Sequence, residues 1–177
     1  MYNPDSDSFL LSGTLKDYLK TKNKNIKILD MGSGSGVQAK TCLDLNFKNV
    51  LCVDIDSEAV EYLKKQKFKA IKSDLFSNLK NKKFDLISFN PPYLPESKYD
   101  KEKDTTGGKK GNEIIIKFLK QSKSHLTEKG EILLLFSSLS NPNIIKHKAQ
   151  QLGFNINELS SKKLFFEELF VYELKLV

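Results

Sequence analysis

Short apolar runs of strand length alternate with segments of helical periodicity through most of this chain. In the helical segments, apolar residues recur at a spacing that places them on one face. The predicted helices cover residues 7–20, 36–45, 57 onward, 111–124 and 141–152, and the predicted strands cover 26–30, 50–53, 69–72, 84–89 and 131–136. Five β-α units of this kind predict an α/β fold with a doubly wound sheet and helices on both faces.

The C-terminal tail has a different pattern. Two strand-like segments, 154–159 and 164–177, are joined by a short turn of serine and lysine residues. A crossover helix does not fit in so short a connection, so the two segments are predicted to pair as an antiparallel hairpin. We therefore expect a single domain, residues 1–177, whose sheet ends in this hairpin. A polar insertion at 96–110 is predicted to be a lid, because long loops in compact domains are often lids or disordered segments.

Composition is that of a globular, cytoplasmic protein. The chain has 177 residues, of which 39% are hydrophobic, so one domain can bury a sizeable core. No apolar run approaches the roughly 20 residues of a membrane-spanning helix, and the first residues lack the basic region of a secretory signal. The two cysteines, Cys42 and Cys52, lie in apolar segments and are predicted to be buried thiols. The histidines and cysteines are scattered, so no metal site is predicted.

The net charge of +7 raises the question of a nucleic-acid partner. The sequence contains no arginine, so its positive charge comes from lysines, and the lysines are spread along the chain with acidic residues among them. A solvated lysine-rich surface therefore accounts for the charge better than a nucleic-acid interface does. A nucleic-acid partner stays possible but is not favoured, and no membrane partner is expected.

The tetrapeptide Asn90-Pro91-Pro92-Tyr93 directly follows a predicted strand. Two consecutive prolines fix the backbone and have no N–H, so the turn holds an amide side chain, a free carbonyl and an aromatic ring in one rigid group. Such a group can bind a planar NH2, because the Asn90 oxygen and a proline carbonyl accept its two hydrogens while Tyr93 stacks on its plane. An ordinary turn is the competing interpretation of these residues alone.

A glycine-rich loop, Gly32-Ser-Gly34-Ser-Gly36, follows the first strand. Its spacing differs from that of dinucleotide sites and P-loops, although it lies where open α/β sheets bind ligands. Asp30, just before the glycines, suits a cationic amino acid. Asp54, at the end of the second strand, is placed to accept hydrogen bonds from ribose hydroxyls. At the end of the third strand, the Asp74 carboxylate can accept an adenine amino proton, and the adjoining backbone N–H of Leu75 can meet a ring nitrogen.

Together these residues resemble the class I S-adenosylmethionine-dependent methyltransferases. Three blocks narrow the resemblance to the HemK/PrmC-type protein-glutamine N5-methyltransferases: a Y-x-P-x-x-D-[ST]-x-L-L pattern from Tyr2 to Leu11, the Asn-Pro-Pro-Tyr turn, and a G-G-x-x-G pattern from Gly107 to Gly111. The short archaeal and eukaryotic branch is the most similar, since only Met1 precedes Tyr2.

The resemblance implies a Rossmann-like, seven-stranded mixed sheet in the order 3-2-1-4-5-7-6, with strand 7 antiparallel. It implies S-adenosyl-L-methionine as the cofactor. Cofactor contacts are expected from Ser8, Asp30, Gly32, Gly34, Asp54, Asp74, Leu75 and Asn90. Catalysis is expected from Asn90, Pro91, Pro92 and Tyr93, with no metal.

The expected reaction is methylation of the glutamine amide in the Gly-Gly-Gln loop of a class I peptide chain release factor. Three alternatives stay open. Adenine presents a similar planar amine, so an N6-adenine methyltransferase acting on DNA or RNA would use the same tetrapeptide. Lysine in other proteins is a weaker alternative because it lacks the planar amine. A non-catalytic module that only binds S-adenosylmethionine is the third.

The resemblance also implies a partner. The short branch works with a small zinc-binding methyltransferase activator protein as a heterodimer. In the expected strand order the third strand, 69–72, is a free edge that a partner strand could join by main-chain hydrogen bonds. Its lysines could equally serve to block such pairing.

Overall fold

A mixed sheet of seven strands organises the computed structural model, which describes residues 5–95 and 107–177. The strands follow the order β3-β2-β1-β4-β5-β7-β6. The first five strands pair in parallel, and β7 runs antiparallel to both β5 and β6. The predicted fold class, strand order and antiparallel β7 are therefore confirmed. The strands are β1 (Ile28–Met31), β2 (Val50–Asp54), β3 (Ala70–Lys72), β4 (Phe84–Phe89), β5 (Leu126–Ser137), β6 (Phe154–Lys163) and β7 (Glu168–Leu176).

Helices cover both faces of the sheet, as predicted. Apolar side chains of the first three helices pack in one buried cluster with alternate residues of the strands. Those of the last two helices pack in a second cluster with the other strand residues, because successive side chains of a strand point to opposite faces. The helices are α1 (Ser6–Leu19), α2 (Val37–Asp44), α3 (Ser57–Lys65), α4 (Glu113–Ser122) and α5 (Pro142–Gln151).

The connection between β3 and β4 departs from the expected repeat of five β-α units. Residues 73–83 form turns and contain no α-helix. Leu75 and Lys80 have φ values of 49° and 45°, in the left-handed region that a right-handed helix cannot contain. The expectation of a fifth β-α unit was therefore wrong.

The hairpin turn and one helix cap also differ from the sequence interpretation. Ser160–Lys163 belong to β6 rather than to a turn, and residues 164–167 make the turn, closed by the Leu164 N–H donating to the Glu167 carbonyl at 2.8 Å. Polar residues suit β6 because it is an edge strand of the sheet. The N-cap of α3 is Asp56 rather than Ser57, since the Asp56 carboxylate accepts the Glu58 N–H at 2.9 Å.

The described part of the chain has neither a membrane-spanning helix nor a cluster of metal-binding side chains. No helix there combines the length and apolar character needed to cross a bilayer. No three histidine, cysteine, aspartate or glutamate side chains within residues 5–95 and 107–177 form a group that could hold a metal ion. Cys42 and Cys52 are buried and unpaired, and burial raises the pKa of both thiols.

Candidate active site

A cleft of about 360 Å³ opens at the carboxyl ends of the parallel strands. It is formed where β1, β2 and β4 end and where α1 begins, because a parallel sheet presents its strand ends at one edge. Every site residue predicted from the sequence lines this cleft. They are Ser8, Asp30, Gly32, Gly34, Asp54, Asp74, Leu75, Asn90, Pro91, Pro92 and Tyr93.

The Asn90 side chain has one satisfied end and one unsatisfied end. Its Nδ2 donates to Oδ2 of Asp7 at 3.0 Å and lies 3.5 Å from Oγ of Ser8. Its Oδ1 is buried and accepts no hydrogen bond within the described residues. A buried acceptor without a donor is costly, so this oxygen is suited to a ligand that brings an N–H into the cleft.

The Gly107–Gly111 block supports the Asn-Pro-Pro-Tyr turn from behind. A Cβ atom on Gly107 would lie 2.6 Å from the Pro92 carbonyl oxygen, and one on Gly111, whose φ is +75°, would lie 2.5 Å from the Tyr93 carbonyl oxygen. Only glycine tolerates such an approach of one backbone to another. The same Tyr93 carbonyl accepts the Ser140 hydroxyl at 3.0 Å. The turn is therefore held through its carbonyl groups, which leaves the Asn90 side chain at the cleft.

Asp54 connects the glycine loop to the second strand. Its Oδ2 accepts the Gly34 N–H at 2.8 Å, and its Oδ1 accepts the Asp56 N–H at 2.9 Å. Gly34 has a φ of +50°, which turns its N–H toward the carboxylate. Each carboxylate oxygen can accept a further hydrogen bond, so Asp54 can bind ligand hydroxyls while it holds the loop.

Asp30 is a buried acid at the base of the cleft, with 3% of its surface exposed. Burial raises the pKa of its carboxyl to about 7, and this effect outweighs hydrogen bonds from Ser33 and the Ala39 N–H that favour the charged form. The Ala39 bond is long, at 3.3 Å. A cationic ligand group would stabilise the carboxylate form of such a residue.

Asp74 and Leu75 lie in the cleft with features that the sequence did not predict. The Asp74 carboxylate forms an ion pair with Lys117 at 2.7 Å, with both side chains about half exposed. The carboxylate that was expected to accept a hydrogen bond from adenine therefore already has Lys117 as a partner. Leu75 adopts a left-handed conformation although it is not a glycine, a strain that is common at ligand sites.

The cleft is also lined by residues that sequence reasoning did not assign to the site, among them Asp7, Gln38 and Lys117. Asp7 is part of the aspartate-serine pattern near the N-terminus, so a signal for it existed. Gln38 is buried; its Nε2 donates to the Ser8 carbonyl at 3.4 Å, and its Oε1 accepts no hydrogen bond among the described residues. Neither Gln38 nor Lys117 belongs to a recognisable motif.

Two parts of the predicted site fall outside the described residues. These are Tyr2 to Pro4 of the N-terminal pattern and residues 96–106 of the predicted lid. The lid therefore stays a prediction. Residues 107–110, which end that insertion, make the support for the turn described above.

Comparison with known proteins agrees with this geometry. The sequence profile of the methyltransferase small domain family matches residues 3–153. The chain belongs to this family. The methyltransferase is 36% identical over 183 residues to a protein from Methanocaldococcus jannaschii that is named as an inferred protein N5-glutamine methyltransferase. The match covers 97% of this chain and 89% of that protein. It is 30% identical to a release factor glutamine methyltransferase of Rhodopirellula baltica, covering 71% of this chain and 49% of the relative.

The methyltransferase spans nearly all of the archaeal relative but only about half of the bacterial one. Among solved structures, a chain of the Mtq2–Trm112 complex of E. cuniculi has the same fold, with a TM-score of 0.82 and 22% identity. That match covers 99% of this chain and 98% of the other. The complex is described as responsible for methylation of the translation termination factor eRF1.

Proposed function

We propose that the chain is a cytoplasmic, single-domain S-adenosylmethionine-dependent N-methyltransferase that methylates the glutamine side-chain amide in a class I release factor. The observation that carries this proposal is the buried, unsatisfied Oδ1 of Asn90 at the edge of the cleft. An amide or aromatic amine is a ligand group that suits this site, because one of its N–H groups can donate to this oxygen while its plane lies against Tyr93.

The residues around the cleft fit S-adenosylmethionine. Asp30 and the free Gln38 oxygen offer acceptors for an ammonium group, and Asp54 offers acceptors for ribose hydroxyls. When bound, this cofactor supplies a methyl group attached to a sulfonium sulfur. The carbon–sulfur bond breaks as the acceptor nitrogen takes the methyl, and the sulfur leaves as a neutral thioether. Solved proteins of the same fold have been obtained with S-adenosylmethionine or S-adenosylhomocysteine bound.

The chain's part in the reaction is positioning. An amide nitrogen is a weak nucleophile because its lone pair is delocalised into the carbonyl. Asn90 Oδ1 and the Pro91 carbonyl can each accept one hydrogen of the substrate NH2, which orients the nitrogen and favours the charge that develops on it. Tyr93, which packs against both core clusters, would cover the amide plane. The excess proton then passes to water.

The names of the relatives support glutamine as the acceptor. The archaeal relative is named for N5-glutamine methylation, and bacterial relatives are named for release factors or for ribosomal protein uL3. These substrates share one chemical group, the glutamine side-chain amide. The test is incubation with labelled S-adenosylmethionine and, in parallel, a release factor, uL3, DNA or RNA, followed by mass spectrometry. Label on adenine instead of glutamine would support the nucleobase alternative, and binding without transfer would support a non-catalytic module.

Asp54→Ala is expected to weaken cofactor affinity by about 1–3 kcal/mol, because hydrogen bonds to a charged acceptor are lost and the glycine loop loses its contact with Gly34. Isothermal titration with S-adenosylhomocysteine measures this. Glu58→Ala, which removes an exposed acid of the same helix–strand unit, is the matched control. Unchanged affinity in Asp54→Ala would mean that Asp54 does not bind the ribose.

We also propose that the methyltransferase works with a small zinc-binding activator protein. The Mtq2–Trm112 complex supports this by its fold. The edge strand β3 offers the surface, since Ala70 and Ile71 are only half-buried. A partner strand could add to this edge by main-chain hydrogen bonds.

Ile71→Asp is expected to abolish most of the co-purification with the activator. The melting temperature of the chain alone should change little. A charge on a half-buried edge position opposes docking of an apolar partner surface. Ile144→Asp, at a position 45% exposed on α5, controls for the general cost of a surface charge. A fully active monomer that is indifferent to the activator would contradict the proposal.

A further inference from the structure

The orientation of the Asn90 amide depends on a residue near the N-terminus of the chain, 83 positions away in sequence. An amide group has nearly the same shape after a half-turn that exchanges its oxygen and nitrogen, so its neighbours decide which atom faces the ligand. Two side chains contact the Asn90 nitrogen: the Asp7 carboxylate at 3.0 Å and the Ser8 hydroxyl at 3.5 Å.

Of these two neighbours, only the carboxylate can discriminate between the two orientations. A hydroxyl both donates and accepts, so Ser8 can satisfy either end of the amide. An ionised carboxylate only accepts, and it would repel the Asn90 oxygen. Asp7 therefore selects the orientation in which Nδ2 faces it and Oδ1 is left for a ligand.

Asp7 is also held rigidly. It is 5% exposed and lies in the first turn of α1, where its Oδ1 accepts the Ser8 N–H at 2.6 Å. The helix is anchored by the fully buried side chains of Leu11, Leu15 and Leu19, and its N-terminal end favours a negative charge. The carboxylate is thus fixed to the core at the wall of the cleft, beside the Asn90 nitrogen.

We infer that Asp7 is a positioning residue that keeps the Asn90 oxygen directed at the substrate NH2. The inference rests on the proposed function, in which the Asn90 oxygen accepts a hydrogen of the substrate NH2. With the amide reversed, two N–H donors would face each other, and the substrate nitrogen would lose one of the acceptors that orient it. Asp7 touches neither substrate nor cofactor in this role; it acts through Asn90.

The first test is nuclear magnetic resonance of the protein without ligand. The two Nδ2 protons of Asn90 are identified by the loss of their signals in Asn90→Ala. One of them is expected to be shifted downfield and to exchange slowly, because it is bonded to a carboxylate. Asp7→Asn should remove that shift. Asp5→Asn is the matched control, since Asp5 also accepts the next residue's N–H at 2.6 Å but is exposed and does not contact Asn90.

The second test is kinetic. Asp7→Asn is expected to lower kcat for glutamine methylation by about tenfold or more, the scale of a lost charge-assisted hydrogen bond, while KM for the cofactor stays within about twofold. In an Asn90→Ala background the same substitution should change kcat by less than about twofold, because the residue acts through Asn90. Asp5→Asn should leave kcat unchanged. If Asp7→Asn does not fold, Asp7→Ser replaces it with the same expectations.

Two results would overturn the inference. One is an Asn90 resonance that is the same in Asp7→Asn and in the parent. The other is a loss of kcat on Asp7→Asn that persists in full without the Asn90 side chain. Failure of the proposed function is a different result: the parent protein would methylate no glutamine, while the resonance test would still give its answer.

Discussion

Asn90→Ala is expected to lower turnover about 100-fold or more, the effect of losing one preorganised polar group at a reacting centre. Cofactor affinity should change little, because the acceptors for the cofactor's charged and hydroxyl groups come from Asp30 and Asp54. The measurement is single-turnover transfer of labelled methyl at saturating cofactor, together with titration of S-adenosylhomocysteine. If Asn90→Ala greatly weakened cofactor affinity but left the rate of methyl transfer unchanged, Asn90 would serve cofactor binding and not catalysis.

Two variants sharpen this experiment. Asn49→Ala removes an exposed asparagine that donates to the Asn25 carbonyl at 3.0 Å, and it should behave like the parent protein. Asn90→Asp keeps the size of the side chain but places a second carboxylate next to Asp7. Like charges at that distance repel, so this variant should be at least as impaired as Asn90→Ala. Full activity in Asn90→Asp would show that the amide group is not needed.

Most strands and helices and the location of the site were accessible from local sequence patterns, whereas the order of the strands was expected from the family resemblance. The strand 84–89 was predicted with its observed bounds, because a polar lysine pair precedes it and prolines follow it closely. Acids at the ends of strands could be expected to converge because the carboxyl ends of parallel strands lie at one edge. The structure indeed brings Asp30, Asp54 and Asp74 to one cleft.

The polar residues that extend a strand beyond its apolar segment could not be predicted from the sequence pattern. β5 begins at Leu126, five residues before the predicted start at Glu131, and its pairing with β4 shifts register between Phe84 and Leu86. Glu128 and Lys129 carry no strand signal of their own. Their conformation is set by pairing with a neighbouring strand, which periodicity within one segment cannot report.

The contacts that give the site its chemistry are long-range. Asp7 and Asn90 are 83 residues apart in sequence, and Asp74 and Lys117 are 43 residues apart. A motif indicates which residue types are present, but the direction of an amide or the pairing of a carboxylate depends on what the fold places beside it. Sequence reasoning therefore found the acceptor Asn90 and missed the residue that orients it.

Cofactor affinity is expected to fall by nearly tenfold for each pH unit below about 7. Burial raises the pKa of Asp30 to about 7, so below that pH the carboxyl is protonated and must lose its proton before it can pair with the cofactor's ammonium group. Binding at pH 5 should then be about 100-fold weaker than at pH 7.5, by proton linkage with one group. Titration of S-adenosylhomocysteine between pH 5 and 7.5 measures this dependence.

The sign of the effect on folding is opposite. Because the folded pKa of Asp30 is above its unfolded value of 3.8, Asp30 contributes stability that is fully present below about pH 4 and is lost as pH rises through about 7. We therefore expect the free energy of unfolding of the ligand-free parent, measured relative to that of Asp30→Asn, to be lower at pH 8 than at pH 4. Cofactor binding should offset this loss, because a cation beside the carboxylate compensates its desolvation.

Asp30→Asn separates the role of Asp30 from other causes of pH dependence. This variant should bind S-adenosylhomocysteine more weakly than the parent at pH 7.5, and with an affinity that is nearly constant from pH 5 to 7.5, since no carboxyl remains to titrate. Calorimetry at pH 6 in buffers of different ionisation enthalpy should show release of about one proton per ligand from the parent and none from the variant. A parent protein whose affinity ignores pH in this range would mean that Asp30 does not pair with the ammonium group.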